Sequence, residues 1–197
     1  MKAIEGDLHL GNALVDMYTK CGLLSEARKV FHELHNHDIV SWNALIAGYA
    51  EQGFGNEVVS CFEQMEEEGT SPNAITFVCS LKDCVDLERG FQIHAIVAKE
   101  GFERHPILGN SLVDMYAKCG FLVEAQDVFD DLLVQDAISR TTLISAYADH
   151  MLHEEALNFM DQMKVDDISP DCVMFLCTLK ACGVIGAIHR GQEIHSE

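Results

Sequence analysis

The chain has little basic charge, little proline and no long apolar run. Thirteen Lys and Arg face 32 Asp and Glu, a net charge of −19 over 197 residues. Phosphate contacts supply much of the affinity for nucleic acid, so this balance alone argues against a polyanionic partner. Three prolines and no low-complexity stretch leave no room for a proline-rich linker. No run of 18 apolar residues exists, so no membrane partner is expected. The first 30 residues carry Glu5, Asp7 and Asp16 without an uninterrupted apolar core, unlike a secretory signal or an Arg-rich, acid-poor transit peptide.

Cysteine is abundant, at eight residues, but it lacks the spacing of a metal site: there is no Cys-x-x-Cys. Cys172, Cys177 and Cys182 are five apart, which turns each about 140° from the last on a helix. Cys21, Cys79 and Cys84 recur as Cys119, Cys177 and Cys182. That recurrence reads as small apolar side chains filling fixed helical positions in a reducing compartment.

What is present is repetition. Asn12 to Gly22 reads Asn-Ala-Leu-Val-Asp-Met-Tyr-Thr-Lys-Cys-Gly, and Asn110 to Gly120 repeats it with two changes at an offset of 98 residues. Ala27, Val30, Phe31 and Leu34 return as Ala125, Val128, Phe129 and Leu132, and Ser71-Pro72 returns as Ser169-Pro170. Arg89-Gly90 and His94 then return at an offset of 101, as Arg190-Gly191 and His195. Three residues are therefore missing from the first copy between Cys84 and Arg89, which is expected to shorten the inter-helix turn and the helix ends.

The apolar periodicity is helical throughout. Leu14, Met17, Tyr18 and Cys21 fall at i, i+3, i+4 and i+7, and Gly22 ends that helix. Trp42, Leu45, Ile46 and Tyr49 make one stripe, and Val58, Cys61, Phe62 and Met65 the next. Phe77, Leu81 and Cys84 precede Leu87, Phe91, Ala95 and Ala98. The units are 8–38, 39–73, 74–105, 106–136, 137–171 and a cut-off 172–197, with 1–7 as the end of a preceding unit. One helix pair cannot bury its own stripe, so the expected fold is all-α: an α-α superhelix, a solenoid of stacked antiparallel helix pairs. The chain is expected to be a fragment of a longer array or a truncated gene product.

The 31-35-35 cycle, the Met-Tyr-x-Lys-Cys-Gly ending and the Gly-x-x-Ile-His in the longer unit resemble one family. The whole chain is similar to plant pentatricopeptide repeat proteins of the subclass that alternates short, standard and long motifs. A tetratricopeptide array is the nearest alternative, but that pattern wants Trp-x-x-Leu-Gly, and here Ile46 follows Trp42 and Leu45. The resemblance implies sequence-specific binding of single-stranded RNA, about one base per repeat. DNA is not expected as a partner.

In the family the fifth and last residues of each unit read the base. Here these are Asn12 with Asp38, Asn43 with Asn73, Asn110 with Asp136, and Thr141 with Asp171. The long units offer Val78 and Leu176 at the fifth position, which lack hydrogen-bonding groups and should read poorly. An ionised Asp only accepts, so it suits the ring N–H of uracil or guanine, whereas Asn can donate to cytosine or adenine. The resemblance then implies U for the first unit, C or U for the second, U for the fourth and G for the fifth, running 5′ to 3′ along the chain.

Second positions clamp the base in the family: His9, Val40, Ile75, Ile107, Ile138 and Val173. Five of the six are β-branched and apolar, which suits a flat base face. Read without the family, they fill space at helix starts. A lysine near the end of the first helix meets phosphate in the family, matched by Lys20 and Lys118, but Glu51 and Asp149 stand at that place in the standard units. With the acidic runs Glu63 to Glu68 and Asp127 to Asp131 on second helices, weak binding is expected.

Other chemistry finds no pattern. His32, His35 and His37 become Asp130, Leu133 and Gln135 in the second copy, so a metal site is not expected. His153-Glu154-Glu155 does not complete a zinc-protease motif. His94 and His195 read as packing positions. Full-length relatives of this subclass often end in a zinc-dependent cytidine deaminase, whose signature of His-x-Glu followed by Pro-Cys-x-x-Cys is not met here, since no Pro-Cys-x-x-Cys is present. The chain is therefore expected not to be an enzyme and to need no cofactor. It reads as the recognition part of organellar C-to-U RNA editing, in mitochondrion or chloroplast, with editing-factor proteins as further partners. The alternative is a protein-binding helical-repeat scaffold without RNA specificity.

Overall fold

The computed structural model describes residues 8–82, 84, 86–102, 104–165 and 168–195, with the backbone alone for 164, 190 and 193–195. Among the described residues every regular element is a helix. They run α1 (Leu8–Lys20), α2 (Leu24–Glu33), α3 (Ile39–Glu51), α4 (Gly55–Glu67), α5 (Ala74–Leu81) and α6 (Leu87–Lys99). The series continues with α7 (Pro106–Lys118), α8 (Leu122–Asp130), α9 (Ala137–Asp149), α10 (His153–Val165), α11 (Cys172–Ile185) and α12 (Ile188–His195). Odd-numbered helices are the first of each pair and even-numbered helices the second. The fold class is the expected one, an all-α helical-repeat superhelix.

The chain divides into two compact units, Met1–Ser111 and Leu112–Glu197, with the boundary inside α7. In the first, α1, α3 and α5 lie side by side, with α2 packed on α1 and α3, α4 on α3 and α6, and α6 on α5. In the second, α9 and α11 lie side by side, α10 packs on both, α8 packs on α9, and α12 on α11. Each unit thus has a layer of first helices and a layer of second helices, with the core between them.

The best-covered helix is α3, which has first helices on both flanks and α4 behind it. It buries Ser41, Trp42, Leu45, Ile46, Gly48, Tyr49 and Ala50. The expected stripe on α4 is buried too: Val58, Cys61, Phe62 and Met65. Burying each large apolar side chain contributes roughly 1.5–3 kcal/mol. Phe31 joins this core edge-on to Trp42, with ring centroids 4.6 Å apart, and stacks on His37 at 4.0 Å. His37 Nε2 contacts the Phe31 carbonyl at 2.9 Å and Nδ1 the Glu68 carboxylate at 2.8 Å. In the second copy Gln135 donates to the Phe129 carbonyl at 3.2 Å. The histidine of the first copy is thus a packing residue whose bond the glutamine keeps.

Helix ends follow from local chemistry. Gly22 takes φ 77, which lets the Leu23 N–H reach back to the Tyr18 carbonyl at 2.9 Å and close α1. At the corresponding end of α9 a non-glycine residue, Met151, holds φ 63 while the Leu152 N–H bonds the Tyr147 carbonyl at 2.9 Å. Gly53 occupies that place in the first copy, at φ 75.

Three expectations need correction. On α1 the buried residues are Gly11, Asn12, Val15 and Thr19, not the stripe of Leu14, Met17, Tyr18 and Cys21. Met17 is 41% exposed and Cys21 is exposed. A first helix has two flanks to cover, and among the described helices α1 packs only on α2 and α3. In the second copy Leu112, Met115 and Tyr116 are buried. On α6 the core face is Gly90, Ile93 and Val97, with Phe91 44% exposed and Ala95 exposed. The three-residue deficit does not shorten the turn: α5 stops at Leu81 and α6 starts at Leu87, whereas α11 runs to Ile185 and α12 follows at Ile188. The loss comes out of the helix, because α5 has 8 residues and α11 has 14.

Cysteine also divides. Cys61 and Cys182 are buried fillers, and burial pushes the Cys61 thiol up to about 12. Cys21 and Cys172 are exposed, so filling does not account for them.

Candidate functional site

Counting from the first residue of each first helix, positions 2, 5, 9 and 13 are spaced by three, four and four. That spacing places them on one helix face. The residues singled out from sequence fall on this face or at the cap that starts the next first helix.

Position 2 is exposed in every first helix. Val40 is 55% exposed, Ile75 61%, Ile107 61%, Ile138 66% and Val173 48%, and His9 is exposed. These side chains fill no space in the core, so the packing explanation for them fails. A β-branched apolar residue is thus left in water at the same position of five helices.

Position 5 meets the cap of the following first helix. Asn12 donates from Nδ2 to Asp38 Oδ1 at 3.1 Å. The same Oδ1 accepts from the Val40 N–H at 3.0 Å, the Ser41 N–H at 2.9 Å and the Ser41 hydroxyl at 3.2 Å, so Asp38 is the N-cap of α3. All four bonds fall on one oxygen, and Oδ2 takes none among the described residues. Burial pushes the Asp38 pKa up, but the bonds from Ser41, Asn12 and Val40 outweigh it and hold the carboxyl below the usual carboxylate range. Asn12 itself is only 7% exposed. It therefore acts on Asp38 more than on anything in solvent.

The fifth helix pair repeats this relation with other atoms. Thr141 Oγ1 lies 2.9 Å from Asp171 Oδ2 and 2.6 Å from the Ala137 carbonyl, two acceptors for its one proton, while Asp171 Oδ1 caps α11 through the Met174 N–H at 2.8 Å. Asn43 and Asn73 are not brought together by a hydrogen bond. Asn73 caps α5 in a reciprocal box with Thr76, accepting the Thr76 N–H at 3.0 Å while its own N–H donates to the Thr76 hydroxyl at 3.0 Å. Asn110 lies on α7 and Asp136 caps α9 through the Ser139 N–H at 2.9 Å; they belong to different units. On α5 Val78 is half-buried, and on α11 Leu176 is 54% exposed.

Positions 9 and 13 carry the charge. Lys20 pairs with Asp16 at 2.6 Å and Lys118 with Asp114 at 2.8 Å, each one turn apart on its own helix. Such exposed pairs contribute about 0.3–0.5 kcal/mol, so an anion can displace the carboxylate. Glu51 pairs at 2.7 Å with Lys82, the C-cap of the next first helix. In the second unit, Asp114, Lys118, Thr141, Ser145 and Asp149 line one groove of about 500 Å³ between α7 and α9. Positions 5, 9 and 13 of neighbouring first helices thus share a single cleft.

Two features escaped sequence reading. Asp38, Asn73, Asp136 and Asp171 are all helix N-caps, a role signalled for the first three by Ser41, Thr76 and Ser139 three residues on, whereas Met174 stands there after Asp171. The Lys82–Glu51 pair spans 31 residues, and its signal is that Lys82 recurs as Lys180 and Glu51 as the acid Asp149, both at the offset of 98. Of the histidines, His94 is half-buried, and the His195 side chain lies outside the described ones.

The comparisons agree with this architecture. The family model described as PPR repeat family matches residues 37–86, and the one described as PPR repeat matches 12–39, 110–135 and 138–168. Among curated relatives from Arabidopsis thaliana, pentatricopeptide repeat-containing protein At2g33680 is 39% identical over 193 residues, covering 96% of this chain and 26% of the relative. Pentatricopeptide repeat-containing protein At3g09040, mitochondrial, is 34% identical over 195 residues, covering 98% of this chain and 19% of the relative. Pentatricopeptide repeat-containing protein At4g18520, chloroplastic, is 34% identical over 198 residues, covering 99% and 32%. The chain therefore spans between about a fifth and a third of the length of these relatives. The crystal structure of the pentatricopeptide repeat protein PPR10 from maize superposes with a TM-score of 0.75 at 21% identity, covering 93% of this chain and 28% of that one. The two family models together take in more than half of the chain, which belongs to the pentatricopeptide repeat family.

Proposed function

We propose that the chain binds single-stranded RNA through the face formed by positions 2, 5 and 13 of its first helices and the caps between them, about one base per repeat. The observation that carries this reading is the exposed β-branched residue at position 2 of α3, α5, α7, α9 and α11, of which Val40, Ile75, Ile138 and Val173 each follow a polar N-cap by two residues. An apolar side chain against the face of a base and a carboxylate oxygen at its edge together can hold and distinguish it. Asp38 is ionised at neutral pH and has Oδ2 to spare, so it accepts the ring N–H of uracil or guanine. Lys20 and Lys118 leave their carboxylates for phosphate. The expected order is U, then C or U, with U at the fourth repeat and G at the fifth.

The subclass of alternating short, standard and long motifs and a recognition role in organellar C-to-U editing follow from the motif resemblance. Relatives named mitochondrial and chloroplastic support an organellar location. Binding of the full 197-residue chain to labelled RNA at low salt tests the reading. Asn12→Ala with Asn110→Ala should relax a preference for uridine. Equal binding to all homopolymers, before and after, would overturn it and leave a protein-binding scaffold.

A further inference from the structure

The acids Glu51 and Asp149 stand at position 13 of the standard repeats, where the short repeats have Lys20 and Lys118, and the chain carries a net charge of −19. Both facts weaken an RNA-binding face. The geometry of the long repeats answers them. Position 9, which is the C-cap of α5 and lies within α11, holds a lysine in both, Lys82 and Lys180, four residues beyond the apolar position-5 residues Val78 and Leu176. The short repeats have Asp16 and Asp114 at position 9, and the standard repeats Ala47 and Ser145. A basic residue there thus marks the long repeats, in both copies.

Lys82 is 56% exposed, and its ammonium lies 2.7 Å from Glu51, at position 13 of the preceding first helix. It therefore delivers positive charge to the place that Lys20 occupies on α1. Lys180 is exposed and has no ion pair among the described residues. In the second unit the groove lined by Thr141, Ser145 and Asp149 shows that positions 5, 9 and 13 share one cleft, and Lys180 stands at position 9 of the next helix along.

We propose that Lys82 and Lys180 are a second set of phosphate contacts, contributed by the long repeats and placed where the standard repeats carry an acid. This rests on the RNA-binding reading above and assigns the long repeats a task within it. They hold the backbone of the strand where Val78 and Leu176 cannot read a base. Glu51 is then not a lost phosphate contact. It holds the Lys82 ammonium at the groove until phosphate competes for it.

Titration of the full chain with labelled single-stranded RNA across a range of salt tests the proposal. Lys82→Gln with Lys180→Gln should lower the slope of log affinity against log salt by about 1.4, at about 0.7 per phosphate contact, with base preference unchanged. Lys180→Gln alone, at an exposed site without an ion pair, should account for half of that change. Glu51→Gln should tighten binding roughly twofold to fivefold by removing the competing carboxylate. If the unaltered chain binds RNA and the lysine variants keep its slope, or if Glu51→Gln weakens binding, this proposal is overturned while the RNA-binding reading stands. No binding by the unaltered chain at low salt overturns both.

Discussion

Asn12 reaches across 26 residues to donate its carboxamide to Asp38, the carboxylate that starts the next first helix, at 3.1 Å. The folded-state pKa of Asp38 is depressed, so its stabilisation is present above the unfolded carboxylate pKa and is lost as pH falls through the folded value. Asp38→Ala should cost about 1 kcal/mol at pH 7 through loss of the cap, and much less at pH 2. Asp38→Asn should keep most of the stability while removing its pH dependence. Urea unfolding at the two pH values checks both.

Thr19 and Gly48 share one small space between α1 and α3. A Cβ added at Gly48 would run into the Thr19 side chain. In the second copy the same two places hold Ala117 and Ala146, both buried, so the volume is divided differently. Gly48→Ala should therefore destabilise by about 1–3 kcal/mol, and adding Thr19→Ala should restore most of it. Equal stability of the single and double variants would show that the space is not shared.

Met151 holds φ 63 and is 75% exposed, at the place where Gly53 serves in the first copy. The left-handed backbone costs a side chain roughly 1–2 kcal/mol, and an exposed methionine gives up little packing when removed. Met151→Gly should raise stability by about 1 kcal/mol. Gly53→Met should lower it by a similar amount, read as shifts in the unfolding midpoint.

The exposed position-2 residues separate folding from binding. Val40→Ser and Ile138→Ser should change stability by no more than about 0.5 kcal/mol, since neither side chain is in the core. They should weaken RNA binding without altering base preference. Trp42→Ala, two residues from Val40 and fully buried, should instead cost about 3–5 kcal/mol. Thermal melts and RNA titrations on the same samples distinguish the two classes.

Much of this was legible in the residues because the chain repeats itself. Gly22 and Gly120 mark the same helix end twice, and the Trp42 and Val58 stripes bury as their spacing predicts. The faces of α1 and α6 were misread because periodicity fixes a stripe but not which neighbour covers it: Met17 and Phe91 lie on apolar stripes and still meet solvent. The Asp38 cap was hidden because one residue serves two ends, and the resemblance named only one of them. The Lys82–Glu51 pair depends on how neighbouring first helices are set side by side, which spacing along a single helix does not contain.

The caps carry a consequence for any attempt to rewrite what this array recognises. Asp38, Asn73, Asp136 and Asp171 each start a helix with the same side chain proposed to meet a base. Only a few residue types do the first job well: Asp, Asn, Ser and Thr. The vocabulary open to the second job is then limited to those few. A reprogrammed repeat that steps outside them gives up roughly 1 kcal/mol per substitution, so recognition and folding are written with the same small set of letters.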